Sequence, residues 1–195
     1  MAVETRVLTG RALVKALPGV AALRIEVFRE WPYLYDGNLA YEERYLAPYA
    51  DTADAVLVGA FDRGRLVGAS TGMPLCKHAD GFATAFATTD IDPETVFYCA
   101  ESVLLSPYRG QGAGHAFFDL REAAARQMGF AISAFCAVER PADHPARPAD
   151  YRPLDSFWHA RGYRPVPGAM AGFDWKDLGA AKETCKQLQF WAMTL

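Results

Sequence analysis

The stretch Arg109-Gly110-Gln111-Gly112-Ala113-Gly114 is where the sequence offers chemistry most plainly. It follows an apolar run ending at Leu105 and precedes a run whose apolar residues recur at helical spacing. Glycines without side chains let a backbone approach a bulky anion closely. The first turn of a helix leaves N–H groups unpaired and carries the positive end of the helix dipole. Together these features make a pocket for phosphate or pyrophosphate. Arg109 can add a charged, forked donor. The glycines at 110, 112 and 114 depart from the dinucleotide fingerprint, which sets its third glycine one place later and sits by a chain's first strand. The GxxxxGK pattern of a triphosphate loop is absent from the sequence. A tight turn that binds nothing is the remaining alternative.

The elements around this stretch follow from periodicity. Val3 to Thr9 reads as a first strand. Pro18 suits a helix start, and Val20, Leu23, Val27 and Phe28 follow at helical spacing as far as Pro32. Tyr41, Tyr45 and Tyr49 predict a second helix closed by Pro48 or just before it. Residues 55–61 and 65–70 alternate around Asp62-Arg63-Gly64 and predict a hairpin. Residues 76–95 give no periodic signal. Residues 95–105 read as a strand containing one acid, Glu101. A helix is expected from about His115 to Met128, with Phe117, Leu120, Ala124 and Met128 on one face and Gly129 as its C-terminal glycine. A strand follows at 130–138. Strand, glycine turn, helix, strand is the order of a crossover that makes two strands parallel. Residues 139–152 form a charged, proline-rich loop, and a short helix at 153–161 ends at Gly162. Two last strands are expected near 169–175 and 187–194.

Composition bounds the function. A chain of 195 residues, 51% apolar and 22% charged, fits one soluble globular domain over residues 1–195. A net charge of −3 without a basic face gives no reason to expect a nucleic-acid partner. Arg11, Lys15 and Arg24 interrupt the N-terminal apolar stretch, and no run reaches the roughly 18 apolar residues of a membrane span. No membrane partner is expected. Cys76, Cys99, Cys136 and Cys185 form no CxxC pair, so no metal site is expected and a reducing cytoplasm is the simplest location.

Residues 104–114, Leu-Leu-Ser-Pro-Tyr-Arg-Gly-Gln-Gly-Ala-Gly, resemble the coenzyme A signature of the GCN5-related N-acetyltransferase (GNAT) family. That pattern is Arg or Gln, two residues, Gly, any residue, then Gly or Ala, and Arg109, Gly112 and Gly114 fill it. The order of elements resembles the family over nearly the whole chain. The resemblance implies an α/β fold with a bent mixed sheet of six or seven strands and helices on both faces. It implies acetyl-CoA, or another acyl-CoA, as co-substrate, with the pyrophosphate on Arg109, Gly110, Gln111, Gly112, Ala113 and Gly114. It also implies that the strands at 96–105 and 130–138 splay around the thioester, with backbone near Leu104 and Leu105 pairing with the pantetheine arm.

Acyl transfer to an amine needs a proton acceptor, because an ammonium with a pKa of about 10.4 has no lone pair. It also needs a polarised carbonyl and gains from a proton donor for the thiolate. Glu101 is the first candidate base, since the family often places a Glu on the matching strand. The other reading is an ordinary hydrogen-bonded acid at a strand splay. Glu94, before the strand, is a poorer substitute. The family commonly has a Tyr four residues before the Gly of a late Gly-aromatic pair. Here the pair is Gly162-Tyr163 and the matching residue is Trp158, which has no proton to give. Tyr151 or Ser156 could replace it, or no acid is used. His144, in the loop after the parallel strand, is a further candidate catalytic or substrate contact, whereas His159 reads as helix surface. Cys136 could carry an acyl group, but a buried strand thiol is the plainer reading. Trp31, Tyr33, Tyr35 and Arg147 are candidate walls for the acceptor, which reads as a small-molecule amine rather than a protein. A homodimer is compatible with all of this. A coenzyme A binding module without catalysis is the alternative, kept open by Trp158.

Overall fold

A computed structural model describes residues 3–78 and 82–195. Seven strands form one bent mixed sheet in the order β1-β2-β3-β4-β5-β7-β6. They are β1 (Glu4–Leu8), β2 (Val56–Asp62), β3 (Arg65–Pro74), β4 (Val96–Leu104), β5 (Ile132–Val138), β6 (Arg164–Trp175) and β7 (Thr184–Thr194). Helices α1 (Gly10–Phe28) and α2 (Leu39–Asp51) lie between β1 and β2, α3 (Ala113–Gln127) joins β4 to β5, and α4 (Asp155–Ala160) precedes β6. Among the described residues, only β4 and β5 pair in parallel. The unassigned stretch 76–95 carries short 3₁₀ turns, Phe82–Phe86 among them, and residues 79–81 within it lie outside the described residues.

Two prolines expected at helix ends lie inside helices. Pro18 sits in the middle of α1, which begins at Gly10 instead, and Pro48 lies within α2. Each removes one N–H from its helix. Val14, whose carbonyl loses its partner to Pro18, is 45% exposed, so water can replace the missing donor. Leu13 before Pro18 and Val20, Ala21 and Leu23 after it are all buried, and this shared core carries α1 past the defect. The inner face of α3 is turned from the expected one. Phe117, Phe118, Arg121, Glu122 and Ala125 are buried, while Leu120, Ala124 and Met128 are half-buried.

Arg121 explains that rotation, and it marks where the sheet departs from regularity. Along β3 and β4, Ser70 faces Ser102 and Gly72 faces Cys99, so three steps of β4 oppose two of β3. This β-bulge interrupts the ladder at Ala100–Glu101 and leaves carbonyls to be satisfied otherwise. Arg121 Nη1 donates to Thr71 O and to Glu101 O, both at 3.0 Å, and Nη2 donates to Ser102 Oγ at 2.9 Å. The Glu101 side chain instead meets Arg24 of α1, so α1 and α3 cover opposite faces of the sheet.

On its other side β4 pairs with β5 only through Val96–Ile132, Phe97–Ser133 and Tyr98–Ala134. Both strands continue beyond Tyr98 and Ala134, unpaired with each other. The expected splay is therefore present, and Glu101 lies within it.

Replacing Arg121 would leave two buried carbonyls without a donor. Arg121→Ala is expected to lower stability by about 2–4 kcal/mol in urea unfolding, given the usual strength of hydrogen bonds to a charged group. A loss below about 0.5 kcal/mol would show that the bulge holds without it.

Candidate active site

The glycine stretch forms the connection from β4 into α3. Gly110 and Gly112 have φ of +74° and +88°, left-handed values that favour glycine, and Gly112 is the N-cap of α3. Gly114 lies inside the helix with no such requirement. A Cβ built on any of the three would meet nothing within 4 Å. The space beside all three is therefore an open cradle, and a helix's first-turn N–H groups have no partner within the helix.

Arg109 does not add its charge there. Its Nη1 donates to Glu30 Oε2 at 2.6 Å and its Nε to Leu104 O at 2.9 Å. Leu105 is occupied too. Its N–H donates to Val67 O at 3.0 Å, and its side chain is buried in the core. Strand alternation turns the N–H of Leu104 the other way, toward the splay. Of the two residues expected along a pantetheine arm, only Leu104 faces the cleft.

That cleft has a volume of about 920 Å³ and runs from Gly110, Gly112 and Gly114 between the splayed strands to Tyr151 and Trp158. A size of this order suits a large extended ligand. Beside it lies a pocket of about 60 Å³, walled mostly by rings. The two cavities share Phe28, Tyr33, Ala100, Glu101 and Cys136, so they meet at the splay. Among the described residues, Glu101 is the only carboxylate that lines both.

Glu101 is 3% exposed and already engaged. Its Oε2 accepts from Arg24 Nη1 at 2.7 Å and its Oε1 from Thr71 Oγ1 at 2.6 Å. Thr71 Oγ1 lies 3.0 Å from the Tyr49 hydroxyl. Arg24 also donates from Nε to Glu42, which is wholly buried. Burial alone would push the Arg24 guanidinium down, but Glu101, Tyr45 and Glu42 hold it well above its usual value. A carboxylate offers about four lone-pair directions, so Glu101 keeps acceptor capacity for an amine or a water.

The aromatic loop at 31–36 is fixed from across the cleft. Arg140, just past β5, donates to Pro32 O at 2.9 Å and Tyr33 O at 2.7 Å, and it grips Asp177 with both terminal nitrogens. Tyr35 pairs with Asp177 in a single bridge. Tyr33 thereby lines both cavities and Tyr35 the smaller one. Trp31 lines neither. It packs against His144 and Tyr151, at 5.1 and 5.9 Å between ring centroids. His144 Nδ1 accepts from Ala146 N, Arg147 donates to Ala142 O, and both lie outside the two cavities. Tyr151 does line the cleft, and burial, followed by the Asp155 charge, raises its pKa. Its phenol therefore keeps its proton at neutral pH. Trp158 is wedged between Phe135 and Trp191, at 5.0 and 5.1 Å. Tyr163 is fully buried on Ser133 and Glu122, so it offers the cleft no proton. Cys136 is buried on β5, with Sγ 3.1 Å from the Tyr98 hydroxyl.

Sequence reasoning missed Arg24, Glu42 and Arg121. Each is a charged residue on an otherwise apolar helix face. Arg24 lies four residues after Val20, Glu42 sits beside the Tyr41–Tyr45 stripe, and Arg121 follows Phe117 by four. A charge at a core position signals a buried partner.

No family model and no curated protein matches the sequence. Solved structures do match its fold. The ribosomal-protein-alanine N-acetyltransferase of Brucella melitensis is 13% identical over 98% of this chain and 99% of its own, with a TM-score of 0.62. The PaiA N-acetyltransferase of Thermoplasma acidophilum, solved in complex with coenzyme A, is 13% identical over 100% of both chains, with a TM-score of 0.57. An N-acetyltransferase of Staphylococcus aureus is 8% identical over 98% of both, with a TM-score of 0.60. What this chain shares with them is the fold.

His78, beside the smaller pocket, gives the site a pH signature. Its ring stacks on Phe82 at 5.1 Å, and burial, helped by the Arg24 charge, pushes its pKa from 6.5 down to about 4. The unfolded chain takes up this proton near pH 6.5 and the folded chain only near 4, so the unfolded state binds more protons in between. Stability should fall with pH across that window, by about 3 kcal/mol at most. Urea unfolding at pH 7 and pH 4.5 should show a smaller drop for His78→Phe than for the wild type. Equal drops would mean that His78 titrates normally.

Proposed function

We propose that the chain is an acyl-CoA-dependent N-acyltransferase, acetyl-CoA being the first candidate donor, that acylates a primary amine on a small molecule. One observation carries the reading. Gly110 and Gly112 take left-handed φ where β4 enters α3, and the first helical turn they open onto lies, with Gly114, at one end of the cleft of about 920 Å³ between the splayed strands. A helix N-terminus at the end of a long cleft suits a ligand that carries phosphate at one end of an extended arm.

The residues present fit coenzyme A. Gly110, Gln111, Gly112, Ala113 and Gly114 would hold the pyrophosphate on backbone N–H groups, and the N–H of Leu104 would meet the arm beyond it. Acyl-CoA supplies the thioester. Glu101, within the splay and open to both cavities, would take the proton of the attacking amine, directly or through a water. Tyr151, a protonated phenol in the cleft wall, would donate to the leaving thiolate. The fold shared with N-acetyltransferases, one of them solved with coenzyme A, supports the same reading.

The engagement of Glu101 by Arg24, together with Trp158 at the position of the usual acid, favours a second reading, a coenzyme A binding module without catalysis. Incubation with acetyl-CoA and a panel of amines, following thiol release, separates the two. Amine-dependent release supports transfer, and binding without release supports the module.

Two substitutions test the assignments. Gly114→Val should keep the fold, since a Cβ there meets no atom within 4 Å. Its branched side chain should weaken acetyl-CoA binding at least tenfold in calorimetry, about 1.4 kcal/mol, because it fills the cradle as the Ala allowed by the family pattern would not. Unchanged affinity would remove the cradle from the site. Glu101→Gln should lower kcat by roughly 10²–10⁴ at neutral pH, the range of a general base. Acetyl-CoA affinity should stay within about threefold. The deficit should shrink as pH rises and more free amine is present. Full activity of the variant at all pH values would move the proton to water alone.

A further inference from the structure

The buried charges beside the smaller pocket do not balance. Glu42 and Glu101 both bind Arg24, and their burial is 0%, 3% and 6% exposed respectively. Two carboxylates against one guanidinium leave a surplus of one negative charge away from water. Surplus buried charge is costly unless something neutralises it. Among the described residues, no cation other than Arg24 pairs with either carboxylate. His78 is neutral above pH 5 or so, being pushed down to about 4 by burial and Arg24. Arg121 is on the opposite face of the sheet and is bound to carbonyls and Ser102. Arg140 and Lys186, which lie over the Trp175 ring at another wall of the pocket, share one carboxylate, Asp177, and so carry the opposite surplus there, away from Glu101. Tyr33, Tyr35 and Tyr98 are held in their neutral forms, chiefly by burial.

The pocket that opens onto this surplus is apolar. Among the described residues, Arg24 and Glu101 are its only charged lining groups, and Glu101 also lines the cleft. The rest is a belt of rings. Tyr41 stacks on Tyr45 at 6.4 Å, Tyr45 meets Phe173 edge-on at 6.4 Å, Phe173 adjoins Trp175 at 6.2 Å, and Trp175 adjoins Tyr33 at 5.8 Å. Ring faces attract a cation and bury a flat apolar body. Among the described lining residues there is no second acid for a polyamine. The one cation, Arg24, already pairs with two carboxylates, which disfavours the carboxylate of an amino acid.

We infer that the acceptor is a small apolar monoamine, an aromatic ring on a short alkyl chain ending in a primary amine, whose ring packs against the aromatic belt, partly in the small pocket and partly in the cleft it opens onto, while its nitrogen stays at Glu101. The nitrogen enters as the ammonium that pairs with Glu101. It gives one proton to Glu101, directly or through a water, at the splay. In the transfer step nitrogen bonds to the acyl carbon and sheds a second proton to water, the carbon–sulfur bond breaks, and the sulfur leaves as thiolate or takes a proton from Tyr151 to leave as thiol. The inference rests on the acyl transfer proposed above and names its acceptor.

Two measurements separate the inference from its foundation. The first is calorimetric titration of the protein with 2-phenylethylamine, spermidine and a short alanyl peptide, with coenzyme A present. The second is thiol release from acetyl-CoA with the same three amines. The expected result is that 2-phenylethylamine binds and has a kcat/KM at least tenfold above the other two. Phe173→Ala should raise its KM about tenfold while acetyl-CoA affinity stays unchanged. Tyr41→Ala, on a different element, should act in the same direction and covers a folding failure of the first variant. Preferred turnover of spermidine or peptide would overturn the inference and leave acyl transfer standing. Binding of 2-phenylethylamine without thiol release would overturn acyl transfer and keep the ligand class of the pocket. No binding of 2-phenylethylamine would overturn the inference outright.

Discussion

β4 carries one residue more than β3 can match, and the rest of the site depends on that mismatch. A regular strand would have paired Glu101 into the ladder. The bulge at Ala100–Glu101 instead sends the Glu101 carboxylate toward α1 and its carbonyl toward α3. Arginines on the two helices then hold it from both sides. Arg121 satisfies the loosened backbone and Arg24 satisfies the side chain. Beyond Tyr98 the same strand has left β5, so the irregular part of β4 borders open space. Two cavities meet at this point because the sheet is incomplete there on one edge and overfull on the other.

Much of the fold was legible because local signals and tertiary packing agree. The hairpin at 56–74, the crossover through α3, the final strand pair and the glycine cradle all follow from period and turn residues. The sequence misled where packing overrode a local preference. Pro18 and Pro48 are strong stop signals, yet the buried residues on either side of Pro18 carry α1 through. Phe117, Leu120, Ala124 and Met128 make a plausible stripe, but the inner face of α3 is set by Arg121, which apolar periodicity counts as outside.

The site was legible to the same degree and for the same reason. Glu101 stood out as a lone acid in an apolar strand, and it does line both cavities. Its partner Arg24 did not stand out, because it lies 77 positions away in sequence and meets Glu101 only through the fold, and Glu42 is joined to it only by way of Arg24. Arg109 illustrates the converse. Its type and place suggest an anion contact, yet Glu30 at the end of α1 takes its charge. Backbone features such as the cradle can be read from glycine spacing, whereas ownership of a long charged side chain is decided by competition in space. His144 and Arg147 fall under the same rule, each being committed to its own loop.

The central claim is that an acyl-CoA lies along the cleft between the splayed strands, with its pyrophosphate on the cradle. Hydrogen–deuterium exchange, followed residue by residue with and without acetyl-CoA, tests it most directly, because the proposed contacts are backbone N–H groups. The account predicts slowed exchange at Leu104 and at Gly110 through Gly114, with the amide of Leu105, already bonded to Val67, unchanged. Unaltered exchange throughout 104–114 at saturating acetyl-CoA, or protection confined to another surface, would contradict it.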